Sequence, residues 1–177
     1  MKQKTFSLTL TALFSVLIII CSWIQIPSAI PFTMQTFAVF FSLCLLGGKS
    51  GLTATVVYIL LGAAGLPVFH GFTGGIGILA GNTGGYIIGF IPAGLIYWLI
   101  TKKAGEKPPT KTFALSLGLI ACYICGTLWY TFVAGNPNGF RAVMLTCVVP
   151  FIIPDIIKIA IAVALSERLK KHIRIKT

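Results

Sequence analysis

Between Lys4 and Lys49 the chain carries no Asp, Glu, Lys or Arg, and between Ser50 and Thr101 the one side chain with basic potential is His70. Uncharged stretches of this length can cross a bilayer, where a helix needs roughly 20 largely apolar residues. With Pro, Gly and charge as punctuation, the apolar pattern predicts six membrane spans, at about residues 5–26, 32–46, 52–66, 82–100, 112–133 and 142–169. The second and third lie near the lower limit of spanning length, which predicts tilt, cover by neighbouring helices, or continuation by backbone that protein shields. No repeat argues for two homologous halves. The expectation is an all-α polytopic integral membrane protein, one membrane domain over residues 1–177.

Composition agrees: the chain is 56% hydrophobic and 10% charged, against about 25% charged in soluble proteins. Its formal net charge of +11 does not indicate a nucleic-acid partner, because the basic residues punctuate apolar runs and do not gather on a polar face. With six spans, both termini and the loops at 47–50 and 101–111 share one side, which holds twelve of the fourteen Lys and Arg residues; Arg141 faces the other side and Lys158 lies within a span. The excess of Lys and Arg on cytoplasmic loops then places both termini in the cytoplasm. The first apolar run is expected to be a retained helix, since no A-x-A-like cleavage site follows it and Cys21 follows Ile20.

The loops on the opposite side are uncharged or turn-forming: 27–33, the glycine-rich stretch 65–85 with Phe69 and Phe72, and Gly135-Asn136-Pro137-Asn138-Gly139. The middle one reads as a lid over a ligand, since a flexible connector would carry Ser, Lys or Glu in place of aromatics.

Asp155 and Lys158 are the sharpest chemical signal. They sit in the apolar run Pro150-Phe151-Ile152-Ile153-Pro154-Asp155-Ile156-Ile157-Lys158-Ile159-Ala160, and i,i+3 spacing puts them on one helix face. Each costs about 2.5–3.5 kcal/mol at the centre of a membrane helix, so each needs a partner and marks a candidate site; mutual neutralisation is the competing explanation. Pro150 and Pro154 free backbone carbonyls in the same turns. A second constellation is Gly81-Asn82-Thr83-Gly84-Gly85-Tyr86. Asn82 or Thr83 is placed to cap the fourth span, and Gly81, Gly85 and Gly89 have small-xxx-small spacing that suits helix packing.

Several chemistries are disfavoured. There is no G-x-x-x-x-G-K-[ST] phosphate loop, so no ATPase. His70 has no second ligand at metal spacing, and no Ser-His-Asp set or carboxylate pair exists for hydrolysis. The five cysteines lie in apolar runs, and Cys122-x-x-Cys125 lacks the context of a redox or zinc motif. No enzyme, metal or cofactor is expected.

Four ordered stretches resemble one family: Pro31-Phe32-Thr33-Met34-Gln35-Thr36-Phe37-Ala38-Val39, Leu60-Leu61-Gly62-Ala63-Ala64-Gly65-Leu66-Pro67-Val68-Phe69, Gly74-Gly75 through Gly84-Gly85-Tyr86, and Pro150-Phe151 to Asp155 and Lys158. Together they are similar to the biotin-specific substrate-binding subunits, called BioY, of energy-coupling factor transporters. The resemblance implies a multi-pass subunit of the bacterial plasma membrane with six helices. It would bind biotin from outside and deliver it to an energy-coupling factor (ECF) transmembrane coupling subunit and two ATPase subunits. It implies that Asp155 accepts from the ureido N–H groups, that Asn82 meets the ureido oxygen, and that Lys158 neutralises either Asp155 or the ligand carboxylate. Tyr86, Phe32, Phe69 and Gln35 are candidate walls. The family's small-residue docking stripe on the first helix would correspond to Ser7, Thr11 and Ser15. The competing expectations are a subunit for another vitamin, an intramembrane thiol enzyme using Cys122 and Cys125, and a small channel.

Overall fold

A computed structural model describes residues 2–26, 31–133, 135 and 139–171. The chain is almost entirely helical. In order it forms α1 (Lys2–Trp23), a two-stranded ribbon of β1 (Gln25–Ile26) and β2 (Phe32–Thr33), α2 (Gln35–Leu46), α3 (Gly48–Ala63), a 3₁₀ turn at His70–Phe72, α4 (Ile76–Ala80), α5 (Gly84–Ala104), α6 (Pro108–Leu128), a π turn at Trp129–Val133, α7 (Gly139–Cys147) and α8 (Val149–Lys170). Four helices, α1, α5, α6 with its π turn, and α8, are long and apolar enough to cross a membrane, while α2 and α3 are shorter apolar helices.

Helix α2 occupies the centre. Its 12 residues extend about 18 Å at 1.5 Å per residue, less than the hydrocarbon thickness of about 30 Å. From Ala38 to Leu46 it is buried throughout, and it packs against α1, α3, α5 and α8, so its neighbours shield it from lipid. Gly47 at φ 82° turns the chain directly into α3, a left-handed conformation that favours glycine. The expected loop at 47–50 is thus a single residue. At its other end α2 starts three residues later than the expected span, because Phe32 pairs with Ile26 and Thr33 with Gln25 in the ribbon.

Helices α5 and α6 form an intimate hairpin at small residues. A Cβ on Gly85 would stand 2.2 Å from Cβ of Trp129, and one on Gly126 would stand 2.1 Å from the Tyr86 ring. Gly89 lies against Cys122 and Gly118 against Ala93. The expected packing role therefore holds for Gly85 and Gly89, whereas Gly81 lies ahead of the helix and meets only its own turn. Lys111, fully buried, pairs with Glu167 at 2.5 Å, and Lys170 pairs with Glu106. These bonds tie the α5–α6 connection to the end of α8.

Two expectations need correction, the single span at 142–169 and the docking stripe on α1. The span at 142–169 is two helices: regular geometry breaks at Val148 (φ −121°, ψ −55°), and Pro150, which lacks an N–H and suits a first helical turn, starts α8 afresh. The 65–85 loop, expected as a lid, contains a 3₁₀ turn and α4, with Phe72 at φ 57° and its ring tilted by 31° against Trp23 at 4.8 Å. The Ser7, Thr11, Ser15 stripe is not a free docking face. Thr11 and Ser15 are buried, Thr11 donates to the Ser7 carbonyl, and Ser15 donates to the carbonyls of Thr11 and of Ala54 in α3. Only Ser7 of the three is exposed. The turn expected at Asn136-Pro137-Asn138 lies outside the described residues.

The hairpin contacts generate a test. Gly85→Ala and Gly126→Ala should each lower stability by about 1–3 kcal/mol, the range for overpacked cores. Gly77→Ala, where a Cβ meets nothing within 4 Å, should be neutral. Thermal unfolding in detergent reads all three, and equal behaviour would remove the close-packed hairpin.

Candidate functional site

A cavity of about 590 Å³, its open mouth included, lies among the β ribbon, the start of α2, the 65–85 segment and helices α5 to α8. Its wall mixes aromatic and aliphatic groups with a few polar ones, which is the usual character of a small-molecule site. Asp155 and Lys158 from α8 line it at 3% and 5% exposure.

Their surroundings complete a small network. Lys158 Nζ donates to Asp155 Oδ1 at 2.8 Å and to the Thr33 carbonyl at 2.8 Å, and it stands 4.1 Å from the centre of the Phe32 ring. Tyr123 O–H donates to the other carboxylate oxygen, Oδ2, at 2.6 Å. A carboxylate can accept through about four lone-pair sites, so Asp155 keeps capacity toward the cavity. The ammonium has three protons: two are engaged by oxygen and an aromatic face covers the third side. The Thr33 carbonyl is available because Thr33 precedes α2, whose first residue is Gln35.

The other sequence candidates fall into two groups. Gln35 and Tyr86 line the cavity. Gln35 is buried and its amide donates to the Tyr58 hydroxyl at 2.9 Å, while the Tyr86 hydroxyl stands 3.5 Å from that of Thr127. Phe32 does not line the cavity but supports it, over Lys158 and 5.9 Å from the lining ring of Phe151. Two placements are corrected. Asn82 is exposed and off the wall, because it lies in the turn ahead of α5; its neighbour Thr83 faces the cavity. Phe69 is fully buried, edge-on to Tyr58 and close against Gly62, so it anchors the loop in the core. Neither Asn82 nor Thr83 caps α5 through its side chain.

Sequence reasoning missed Tyr123, Thr33, Thr83, Phe90, Phe151 and Cys147, all on the wall, and treated His70 as a lone loop residue although it lines the cavity and its Nε2 stands 3.3 Å from Thr83 Oγ1. A signal existed for Tyr123: a phenol inside an apolar span must find a partner, and the buried Asp is the strongest acceptor available. All five cysteines are free. Cys122 lines the cavity and donates to the Tyr86 carbonyl at 3.3 Å, while Cys125 is not on the wall. Among the described residues no group of three His, Cys, Asp or Glu could hold a metal.

The fold is that of a helical membrane protein, with a cavity lined by a buried ion pair. Residues 1–175 match the BioY family, to which this chain belongs. The chain is 38% identical over 160 residues to the biotin transporter BioY of Thermotoga maritima, covering 90% of this chain and 92% of that one. It is 35% identical to biotin transporter BioY2 of Lactococcus lactis, covering 88% and 85%. A crystal structure of the S-component for biotin from an ECF-type ABC transporter superposes with a TM-score of 0.86 at 27% identity, covering 96% of this chain and 93% of that one.

The pair itself is testable without any ligand. Lys158→Met leaves the buried Asp155 carboxylate without its cation, and breaking half of such a pair costs about 3–5 kcal/mol, whereas replacing both members is often near neutral. Thermal unfolding should therefore rank the Asp155→Leu/Lys158→Met double variant well above Lys158→Met alone. The reverse order would show that the two charges do not depend on each other.

Proposed function

We propose that this chain is the biotin-binding membrane subunit of a vitamin uptake system in the bacterial plasma membrane, passing biotin to an ECF transmembrane coupling subunit with two ATPase subunits. The observation that carries the reading is the cavity-facing Asp155–Lys158–Tyr123 network in a chain of the BioY family. Biotin presents a ureido group with two N–H donors and one carbonyl, an apolar ring and chain, and a terminal carboxylate. Asp155, held by Lys158 and Tyr123, is the acceptor for the ureido N–H groups. Gln35 and Tyr86 form the wall, with Phe32 behind it, and Asn82 is kept out of the direct contacts by its exposure. The chain has no phosphate-binding loop, so ATP hydrolysis belongs to other polypeptides.

Helices α1, α2, α3, α5, α6 and α8 serve as six spans with both termini cytoplasmic. The twelve-to-one basic asymmetry between the two sets of loops supports this orientation, and so does the Lys170–Glu106 bond, which holds the end of α8 beside the α5–α6 connection. Single-cysteine labelling in a cysteine-free background should make exposed position 103 reactive from the cytoplasm and exposed position 141 reactive from outside. The opposite pattern would overturn the six-span orientation.

Equilibrium binding of labelled biotin tests the site. Asp155→Asn presents N–H groups to the ureido donors. The loss of a charge-assisted hydrogen bond of about 1.5–3 kcal/mol should weaken affinity roughly tenfold to hundredfold. The folded Asp155→Leu/Lys158→Met variant should lose binding as well. If it binds like the parent, the pair is structural and the acceptor lies elsewhere.

A further inference from the structure

Lys158 is the obvious cation for a ligand carboxylate, yet its geometry argues against that role. Its ammonium is committed to Asp155 Oδ1 and the Thr33 carbonyl, both at 2.8 Å, with the Phe32 ring 4.1 Å away. A ligand carboxylate reaching it would have to displace one of these oxygens and would meet the Asp155 charge at contact distance. Among the described residues, the other side chain on the cavity wall able to carry positive charge is His70, which comes from the 3₁₀ turn of the loop and not from α8. Among the described residues its side chain makes one hydrogen-bonding approach, the long 3.3 Å to Thr83 Oγ1, also on the wall. We propose that His70, with the Thr83 hydroxyl beside it, receives the carboxylate end of the ligand, while Lys158 stays with Asp155. The assignment rests on the biotin reading and fixes which way the ligand lies: ureido toward α8, carboxylate toward the loop.

The chemistry of the pairing gives it a signature. Burial holds the His70 ring below the ordinary histidine range, so it is neutral in the empty cavity at pH 7. A carboxylate beside the ring favours its protonated form, so binding takes up a proton. Affinity for biotin should then rise as pH falls from 8 to 6, a window in which the ligand carboxylate stays ionised. Among the described residues, the other ionisable groups on the wall are Tyr86, Cys122, Tyr123, Cys147 and the mutually paired Asp155 and Lys158, and none of them offers a second free cation.

The experiment compares tritiated biotin with biotinamide, which keeps the ureido ring and replaces the carboxylate by a neutral amide. The parent protein should prefer biotin by on the order of tenfold, increasingly so toward pH 6. His70→Gln, which keeps polarity but cannot be charged, should lose that preference and its pH dependence while binding biotinamide as the parent does. Unchanged biotinamide binding also certifies that the variant is folded. Two results would overturn the proposal: a full preference for biotin surviving in His70→Gln, or an equal loss of both ligands, which would make His70 only a tie between loop and α5. A parent that binds neither ligand would instead sink the biotin reading itself.

Discussion

Inside a bilayer no water is available to satisfy a polar group, so every donor, acceptor and charge must find its partner in the protein. Apart from the buried Gln25 Oε1, Tyr97 hydroxyl and Trp129 N–H, which lack hydrogen-bond partners, the described residues meet this constraint mostly locally. Thr11, Thr55, Thr101 and Thr131 each donate to the carbonyl four residues earlier on their own helix. Ser15 and Ser22 reach further, to Ala54 and Val68, and these bonds fix α1 against α3 and the loop that follows it. Asp155 and Lys158 cannot be satisfied that way, because a bare charge costs more than a hydroxyl. Their solution needs three elements at once: the pair on α8, Tyr123 on α6, and the Thr33 carbonyl at the end of the ribbon.

That last partner exists because α2 is short. A helix begun at Phe32 would have turned the Thr33 carbonyl inward to its own backbone ladder. The ribbon of β1 and β2 delays the helix to Gln35, leaving the carbonyl to accept from Lys158 and placing Gln35 at the cavity edge. The shortness is tolerated because surrounding helices, not lipid, enclose α2. The feature that looks deficient for a membrane span is therefore what makes room for the site.

Much of this was legible in the sequence because lipid enforces long uncharged runs and makes an intramembrane charge expensive. Those two facts locate the helices and single out Asp155 and Lys158. The misses have equally physical causes. Residues 142–169 read as one apolar run because hydropathy is blind to the backbone break that precedes Pro150. Asn82 and Thr83 are indistinguishable as polar residues at a helix start, and only the direction of the turn decides that Thr83 faces the cavity and Asn82 does not. Phe69 and Phe151 are both aromatic and near glycine or proline; packing against Tyr58 buries the first, and the second reaches the wall. Thr33 contributes a carbonyl, which side-chain chemistry does not reveal. Ser7, Thr11 and Ser15 have the spacing of a docking stripe, but the same spacing serves packing against α3.

A neutralised pair also leaves the Asp155 charge compensated from within the chain. A single buried carboxylate awaiting a ligand would be an uncompensated charge whenever the cavity emptied. Here Lys158 and Tyr123 both bond Asp155 from within the chain, and the carboxylate still has acceptor capacity to spare. A ligand that supplies N–H donors adds bonds without dismantling the network. One that supplies an acceptor in their place leaves buried groups opposed or unpaired, which is the condition under which polar sites discriminate most strongly. On the proposed reading, discrimination at this end of the cavity would come from donor and acceptor pattern more than from charge, since Lys158 already pairs the Asp155 charge within the chain.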